Sequence, residues 1–440
     1  MDDCNRYEEF LERSLQTVPL MDVNAPCIAV GYTSDLDVLL EWDQKVFDGL
    51  ISQHLKSEPS FEEGEKIESL EALARILSHF VICGLGGEME ISSPDICNWL
   101  VENFKSIKAL GGTGAQCSAA LGTIGYPAVV HISDKCTEVC ELLSYTSILT
   151  VKDGRLHNIP SVATRDMPVY HFICQYDKGT TVTVDGKTYA APVSNRLILD
   201  FDTVHKRFLP DPSYFTYLEE HAKEIRVLSI SGFNAIVDLE IAKLDLESLV
   251  EHLSKLKARN PDIMIYLESA HYFSCKVREI VFEMLGQYVD FLGMNEEEVM
   301  AHAELEGIQT DKDDFDSILH GLELVQQMYP LRGIILHTKD YSAYFGKKLS
   351  VDIELGLAAG NLLSGTRARV GHYGNLQECR DSLQYGFSAV GKEFCAKAKS
   401  WQKTHTDVQL TIVPSRYLER PKCTIGLGDT FVAGVLTCFT

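Results

Sequence analysis

The sequence predicts an α/β protein with a mostly parallel sheet covered by helices on both faces, and a smaller antiparallel sheet beside it. In the second half of the chain, apolar runs without polar alternation are separated by segments of ten or more residues with helical spacing. Parallel strands have this composition because both faces of their sheet are buried. The runs lie at 226–230, 263–267, 289–293, 333–337 and 408–412.

The first half of the chain continues the alternation. Apolar residues recur at intervals of three and four over the first ~20 residues, which predicts an amphipathic acidic helix. The same spacing or a short apolar run predicts further helices at 43–56, 65–83 and 94–107, and further strands at 27–32 and 128–132.

Residues 168–202 differ in character from the rest. Short β-prone runs alternate with polar turns, and Asp185-Gly186 is a hairpin signal. We therefore expect a small antiparallel sheet here, outside the main sheet.

Composition narrows the class of protein. The chain has 440 residues, of which 45% are hydrophobic and 23% charged, as in ordinary globular enzymes. A net charge of -23 argues against a nucleic-acid or anionic-membrane partner, because both require a positive surface. The acidic N-terminus, the absence of a long apolar stretch and 13 scattered cysteines without a CxxC pair predict a cytoplasmic protein with reduced thiols.

Polar residues follow the predicted strands, where open α/β sheets bind their ligands. They are Ser231–Asn234, Glu268, Asn295 with Glu298, and His337–Lys339. Each alone is compatible with a solvated loop or a helix cap. Their recurrence along one sheet edge favours a binding site.

The run Gly426-Leu427-Gly428-Asp429 precedes an apolar helix. Glycines allow a tight turn that points several N–H groups at one place, and the helix N-terminus adds positive charge. This arrangement suits a phosphoryl group in transfer, and Asp429 could accept the proton of an attacking hydroxyl. The alternative is a glycine loop with an N-cap aspartate and no catalysis.

Asn295 and Glu298 are one helical turn apart directly after a predicted strand. Carboxylates at such a place suit magnesium, which keeps several waters and few protein ligands. An acidic first turn that only complements the helix dipole is the alternative. Taken alone, His271, His302 and His337 have no partner pattern and are predicted to be structural. A phosphate-binding P-loop is excluded at Gly186-Lys187-Thr188, because the required first glycine is missing.

In this order along the chain, the motifs resemble those of the ADP-dependent glucokinase/phosphofructokinase family of the ribokinase superfamily. The matching segments are Gly31–Asp37, Gly111–Ala115, Ser231–Phe233, Gly293–Glu298, His337–Lys339, Val413–Ser415 and Thr424–Thr430. The resemblance implies a ribokinase-like three-layer α/β/α domain that binds nucleotide, formed by residues 1–36, 109–165 and 205–440. It also implies a smaller α+β lid, formed by residues 37–108 and 166–204, over a sugar site.

The resemblance further implies phosphoryl transfer from ADP to a hydroxyl of a hexose or hexose phosphate, which leaves AMP. Asp429 would be the base, and the amides of Gly426, Leu427 and Gly428 would form the anion hole. Glu268 and Glu298 would hold Mg²⁺ through waters. The sugar would contact Asp37, Glu88, Gly111, Gly112, Asn195 and Arg196. The nucleotide would contact Asn295, His337, Val413 and Pro414.

Three positions bear on the details of that reaction. Tyr266 stands where the family carries the histidine of a His-x-Glu motif, and Asp35 stands where it often has asparagine. Glu88 resembles a glutamate that contacts glucose, which favours an unphosphorylated hexose. An ATP-dependent sugar or nucleoside kinase and an inactive binding protein of the same fold remain alternatives. The expected partners are small molecules only, and the expected state is a monomer or small homo-oligomer.

Overall fold

The computed structural model describes residues 3–440 except 57, 63, 271 and 306, with side chains described from residue 6 onward. His271 therefore lies outside the described residues. The strands are β1 (Ile28–Val30), β2 (Asp35–Leu40), β3 (Gly87–Glu90), β4 (Ser106–Gly111), β5 (Ala128–Val130), β6 (Ile148–Lys152), β7 (Arg155–Asn158), β8 (Tyr170–Tyr176), β9 (Thr181–Val184), β10 (Lys187–Ala190), β11 (Asn195–Phe201), β12 (Val227–Ile230), β13 (Met264–Glu268), β14 (Phe291–Asn295), β15 (Gly333–His337), β16 (Tyr341–Gly346) and β17 (Gln409–Pro414).

The helices alternate with these strands through most of the chain. They are α1 (Asp3–Thr17), α2 (Gln44–His54), α3 (Leu70–Cys83), α4 (Pro94–Asn103), α5 (Thr113–Thr123), α6 (Thr137–Leu142), α7 (Pro212–Glu220), α8 (Leu239–Arg259), α9 (Cys275–Leu285), α10 (Glu296–Leu305), α11 (Phe315–Met328), α12 (Ile353–Val370), α13 (Leu376–Ser382), α14 (Ala389–Gln402) and α15 (Leu427–Leu436). Among the residues with described structure, no helix is both long and apolar enough to cross a membrane.

The main sheet has the order β17-β16-β15-β14-β13-β12-β1-β5-β6-β7. Neighbouring strands are parallel from β15 to β6, as the uninterrupted apolar runs predicted. One face packs against α1, α5, α12 and α15, and the other against α7, α8, α9, α11 and α14. The carboxyl ends of the parallel strands therefore meet at one edge between two helical layers.

The main sheet is mostly parallel, as predicted, and departs from parallel pairing at its two ends. At one end, β7 pairs antiparallel with β6, and neither of these strands was predicted. The unpredicted strand β16 pairs antiparallel with both β15 and β17. Only three residues separate β15 from β16, and so short a connection joins antiparallel neighbours only.

The second sheet has five strands in the order β3-β11-β8-β2-β4, and it mixes parallel and antiparallel pairs. The expectation of a separate antiparallel sheet from 168–202 was wrong in extent, because β8 and β11 pair with strands from much earlier in the chain. The hairpin predicted at Asp185-Gly186 connects β9 and β10, with positive φ at both turn residues.

Two predicted helices are shorter than expected. α3 begins at Leu70, because the Ser69 side chain accepts a hydrogen bond from Ala72 N and caps the helix. α4 ends at Asn103, and residues from Ser106 onward form β4. The predicted domain boundaries at 36/37 and 108/109 fall inside β2 and β4, whereas the division into two domains stays a prediction.

Candidate active site

A cleft of about 580 Å³ runs along the edge of the main sheet. It lies at the ends of β14, β15 and β17 and at the start of α15. Its walls include Asn295, His337, Ser415, Arg416, Gly428 and Phe431. We call this the donor cleft.

The floor of the donor cleft is the N-terminus of α15. Gly426 precedes the helix with φ +64°, a left-handed conformation that glycine adopts without strain. A side chain there would also collide with Gln116 Oε1, 1.8 Å from the position of a Cβ. The first bond of the helix runs from Thr430 N to Gly426 O, so the N–H groups of residues 427–429 have no partner within the helix.

Asp429 lies in the first turn of α15, beside those amides. Burial raises the pKa of its carboxyl above the usual value, and the charge of Glu268 adds to the rise. A hydrogen bond from the Thr113 side chain and the positive charge of Arg367 act in the opposite direction. The prediction that Asp429 lies in the first turn of a helix that follows a glycine turn is confirmed. Anion binding at this turn and the role of Asp429 as the base stay predictions.

Arg367 lies under the same loop and was not predicted from the sequence. It is buried on α12, and Nη1 donates to Gly426 O at 2.8 Å and to Thr430 Oγ1 at 2.9 Å. Its guanidinium also stacks on the Tyr373 ring at 4.2 Å from the centroid. This buried cation fixes the start of α15.

Glu268 ends β13 and is held by two donors. The Tyr266 hydroxyl donates to Oε2 at 2.9 Å, and His337 Nε2 lies 2.8 Å from Oε1. Gly293 on β14 leaves room for this pair, since a Cβ there would lie 1.9 Å from Glu268 Oε2 and 2.1 Å from the Tyr266 hydroxyl oxygen. The Tyr266 phenol thus contacts Glu268 directly.

Asn295 and Glu298 cap the start of α10 reciprocally. Glu298 N donates to Asn295 Oδ1 at 2.9 Å, and Asn295 N donates to Glu298 Oε2 at 3.0 Å. Burial, with the charge of Glu268, raises the pKa of Glu298 to about 7. Two mutually repelling carboxylates, with His337 as the cationic partner of one of them, are a suitable donor set for a divalent cation.

His302 behaves as the sequence predicted. Its Nδ1 lies 2.9 Å from Glu298 O within α10, and the ring is buried against Phe282 and Tyr329. Burial lowers the pKa of His302 to about 4. It is a neutral core residue.

The second sheet presents a row of acids towards the start of α15. Asp37, His171 and Asp200 stand side by side on β2, β8 and β11. His171 Nδ1 is 3.3 Å from Asp35 Oδ1 and 3.7 Å from Asp37 Oδ1, and its Nε2 is 3.3 Å from Asp200 Oδ1. Burial raises the pKa of Asp37 to about 8, and Asp35 and Asp429 add to the rise. We call this surface, with Glu88, the acceptor face.

Gly111 and Gly112 are positions where only glycine fits. A Cβ at Gly111 would lie 1.7 Å from Asp35 Oδ1, and one at Gly112 would lie 2.6 Å from Thr33 O. Gly112 also has φ +79°. The predicted Gly-Gly turn therefore brings Thr113 and α5 against the acids of β2.

The remaining predicted sugar residues differ in their positions. Glu88 is exposed on β3; partial burial raises the pKa of its carboxyl, with Asp200 and Asp202 adding to the rise. Asn195 Nδ2 donates to Gly84 O at 3.0 Å, so it holds the turn before β3. Arg196 is exposed on the same side of β11 as Asp200.

Val413 and Pro414 are not among the residues that line the donor cleft, and their contact with the nucleotide stays a prediction. Their carbonyl oxygens accept hydrogen bonds from Asn361 and Tyr7, and the donor cleft is lined from Ser415 onward. Both residues belong to β17 and are buried, and their carbonyl groups bond to side chains of the protein.

A hydrogen-bonded chain connects the two sheets. Ser133 Oγ lies 2.7 Å from His205 Nε2, and His205 Nδ1 lies 2.7 Å from Asp202 Oδ2. Ser133 Oγ also accepts from Ser34 N at 2.8 Å, so it ties the first and last crossings between the sheets. These residues, like Arg367 and Gln116, carry no local sequence motif.

Comparisons with known proteins agree with one another. The family model described as the ADP-specific phosphofructokinase/glucokinase conserved region matches residues 26–438. An ADP-dependent glucose/glucosamine kinase of Pyrococcus abyssi is 23% identical and covers 96% of both chains. An ADP-specific phosphofructokinase of Methanosarcina acetivorans is also 23% identical, covering 98% of this chain and 95% of its own.

Solved structures share the fold. The last common ancestor of ADP-dependent phosphofructokinases from Methanosarcinales superposes with a TM-score of 0.83 at 21% identity, over 99% of this chain and 97% of its own. An ADP-dependent kinase in complex with fructose-6-phosphate and ADPβS gives 0.76 at 20% identity, over 100% and 98%.

Proposed function

Because this chain belongs to the ADP-specific phosphofructokinase/glucokinase family, we propose that it transfers a phosphoryl group from ADP to a hydroxyl of a hexose. One observation carries the proposal to these residues. Asp429 is close enough to the acceptor face for its charge to raise the pKa of Asp37, while it also stands beside the amides that open onto the donor cleft. Donor and acceptor would meet at this carboxylate.

Asp429 acts as the base in this proposal. Its carboxylate takes the proton of the sugar hydroxyl, the hydroxyl oxygen forms a bond to the β-phosphorus of ADP, and AMP leaves with the electron pair of the broken P–O bond. The amides of Gly426, Leu427 and Gly428 would stabilise charge on the transferring group, because the first N–H groups of a helix are open to an anion. Arg367 holds these amides in place from below.

Glu268 and Glu298 would hold a divalent cation, Mg²⁺ by preference, through water. When bound, the cation supplies positive charge to the phosphate oxygens. Tyr266 and His337 orient Glu268 for that task. Two of the roughly four lone-pair positions of its carboxylate are used by these donors, which leaves the others for water.

The acceptor is proposed to be an unphosphorylated, glucose-like hexose. Asp35, Asp37, Asp200 and Glu88 crowd this face, and a phosphate on the sugar would add negative charge beside carboxyl groups that already repel one another. Carboxylates accept hydrogen bonds from several sugar hydroxyls, and they would also attract the ammonium group of a hexosamine. The relative from Pyrococcus abyssi is named for glucose and glucosamine.

The five-stranded sheet is proposed to act as the lid of a two-domain enzyme. Its acceptor face would close on the donor cleft once the sugar has bound, which excludes water from the reacting phosphate. The free cysteines of the described residues support a reducing, cytoplasmic location.

A substrate screen tests the proposal. ADP and ATP are each offered with glucose, glucosamine and fructose 6-phosphate, while AMP and ADP release are followed. We expect AMP release with ADP and glucose, slower or equal release with glucosamine, and little with fructose 6-phosphate. ADP release from ATP at a higher rate would instead assign the ATP-dependent alternative, and turnover with no acceptor would leave the chain a binding protein.

A further inference from the structure

The first helix of the chain, α1, packs behind the wall of the donor cleft. α1 precedes residue 26, where the match to the family model begins. It packs along α12, and Arg6 forms ion pairs with Asp352 and Glu354 at the start of that helix. These contacts hold the N-terminal turn of α1 against the layer that carries Arg367.

Tyr7 of α1 contacts residues that form or precede the cleft wall. Its side chain is fully buried, and its hydroxyl donates to Pro414 O at 2.6 Å. The same hydroxyl oxygen accepts from Asn361 Nδ2 at 3.3 Å, and Asn361 Nδ2 also donates to Val413 O at 3.1 Å. The last two carbonyls of β17 are therefore fixed by one tyrosine and one asparagine.

The Tyr7 ring supports the residue that follows. The guanidinium of Arg416 lies 5.1 Å from the centroid of Tyr7 and 4.6 Å from that of Phe387, and the two rings are 5.5 Å apart. Arg416 and Asn361 both line the donor cleft. A cation held over two aromatic faces has a defined position, because the ring quadrupoles attract it.

We propose that Tyr7 is a positioning residue for the nucleotide, acting through Pro414, Asn361 and Arg416. It contacts no substrate in this arrangement. The Tyr7 hydroxyl holds the end of β17 through Pro414 O, and the Tyr7 ring helps to position the Arg416 guanidinium. The cleft wall from Ser415 onward therefore has one conformation before ADP binds. A preorganised wall binds more tightly, because less ordering remains for the binding event. This inference rests on the proposed function, since it concerns the ADP site.

Tyr7→Phe tests the inference, because it removes the hydroxyl and keeps the ring. Losing one net hydrogen bond from the cleft wall should weaken ADP and AMP binding by roughly threefold to tenfold. Calorimetric titration with each nucleotide measures this without turnover. In the assay, the KM for ADP should rise by a similar factor, while kcat and the KM for glucose stay within about twofold.

Tyr126→Phe is the matched control. The buried Tyr126 hydroxyl lies 3.2 Å from Oγ of Ser14, a residue of α1 like Tyr7. Neither Tyr126 nor Ser14 lines the donor cleft. Tyr126→Phe should lower the melting temperature by an amount similar to Tyr7→Phe and leave nucleotide binding within twofold.

The outcomes separate the inference from the proposed function. Equal nucleotide affinity of Tyr7→Phe and Tyr126→Phe would overturn the positioning role, and so would a parallel rise of both KM values. A wild-type protein that binds neither ADP nor AMP would overturn the proposed function together with the inference. Weaker ADP binding by Tyr7→Phe, with unchanged binding by Tyr126→Phe, supports the positioning role of Tyr7.

Discussion

The donor cleft and the acceptor face are built on different electrostatic plans. Polar groups around the donor cleft are paired with one another: Glu268 with Tyr266 and His337, Asn295 with Glu298, and Arg367 with Gly426 O. On the acceptor face, carboxylates crowd around His171, and burial raises the pKa of Asp37 to about 8. The difference matches the proposed function, in which the donor side binds an anion through oriented donors and the acceptor side binds a neutral, hydroxyl-rich molecule.

The largest expected effect on turnover is at Asp429, which lies between the donor cleft and the acceptor face. Asp429→Asn should lower kcat by ~10²- to 10⁴-fold, because the side chain can no longer accept the hydroxyl proton. ADP binding, measured by calorimetry, should stay close to that of the wild type. Near-normal turnover would mean that another group deprotonates the sugar.

Tyr266→Phe sharpens the comparison on the donor side. The Glu268 carboxylate would lose one of its two donors, and loss of such an outer partner typically weakens metal binding 10- to 100-fold. Protein-bound Mn²⁺, followed by electron paramagnetic resonance, should report the loss together with a higher Mg²⁺ requirement. Tyr344→Phe is the control, since Tyr344 is equally buried and bonds only to carbonyls at the far end of the sheet.

Glu88→Gln examines the acceptor side. We expect the KM for glucose to rise by about tenfold, because a charged hydrogen-bond acceptor becomes neutral, while the KM for ADP is unchanged. Glu90→Gln on the same strand should have little effect, since Lys66 and Lys206 already pair with its carboxylate. A joint rise of both KM values would contradict the separation of the two walls.

The smallest expected effect is a displacement of the pH profile, which is separate from the fall in kcat expected when the start of α15 loses its two hydrogen bonds from Arg367. Arg367 lowers the pKa of both Asp429 and Asp37, so Arg367→Met should raise both. The base works only when ionised, and therefore the acidic limb of kcat/KM should move to higher pH by about half a unit to one unit. Arg369→Met leaves this charge in place, because Arg369 bonds to Ser382 and Glu378 instead. An unshifted limb would remove Arg367 from the electrostatics of the base.

The sequence predicted those parts of the site that follow from local backbone chemistry. The glycines before Asp429 and the Gly111-Gly112 turn are readable because each requires a conformation or a close approach that a side chain prevents. Seven of the ten strands of the main sheet were predicted from the sequence, because burial on both faces removes polar alternation. Helix ends were less predictable: α3 begins at Leu70, later than expected, because the Ser69 side chain caps it through one hydrogen bond.

Residues that act through distant partners gave no such signal. Arg367 and Gln116 lie on helices that are buried almost all round, and Tyr7 lies on an amphipathic helix. Their contacts are 59, 257 and 407 positions away in sequence, respectively. The strands β6, β7 and β16 of the main sheet were not predicted, and the second sheet was predicted with too few strands, because pairing between strands depends on the tertiary structure.

The amino-acid sequence by itself determined the class of fold, the glycine turn before α15 and the acids that end the strands, because short-range sterics and periodic burial decide these features. Only the tertiary structure decided that several carboxylates surround His171, that the Arg367 cation bonds to the glycine turn before α15, and that Tyr7 supports the wall of the donor cleft. Charges and hydrogen bonds depend on distance in space, and folding alone sets that distance for residues far apart in the chain.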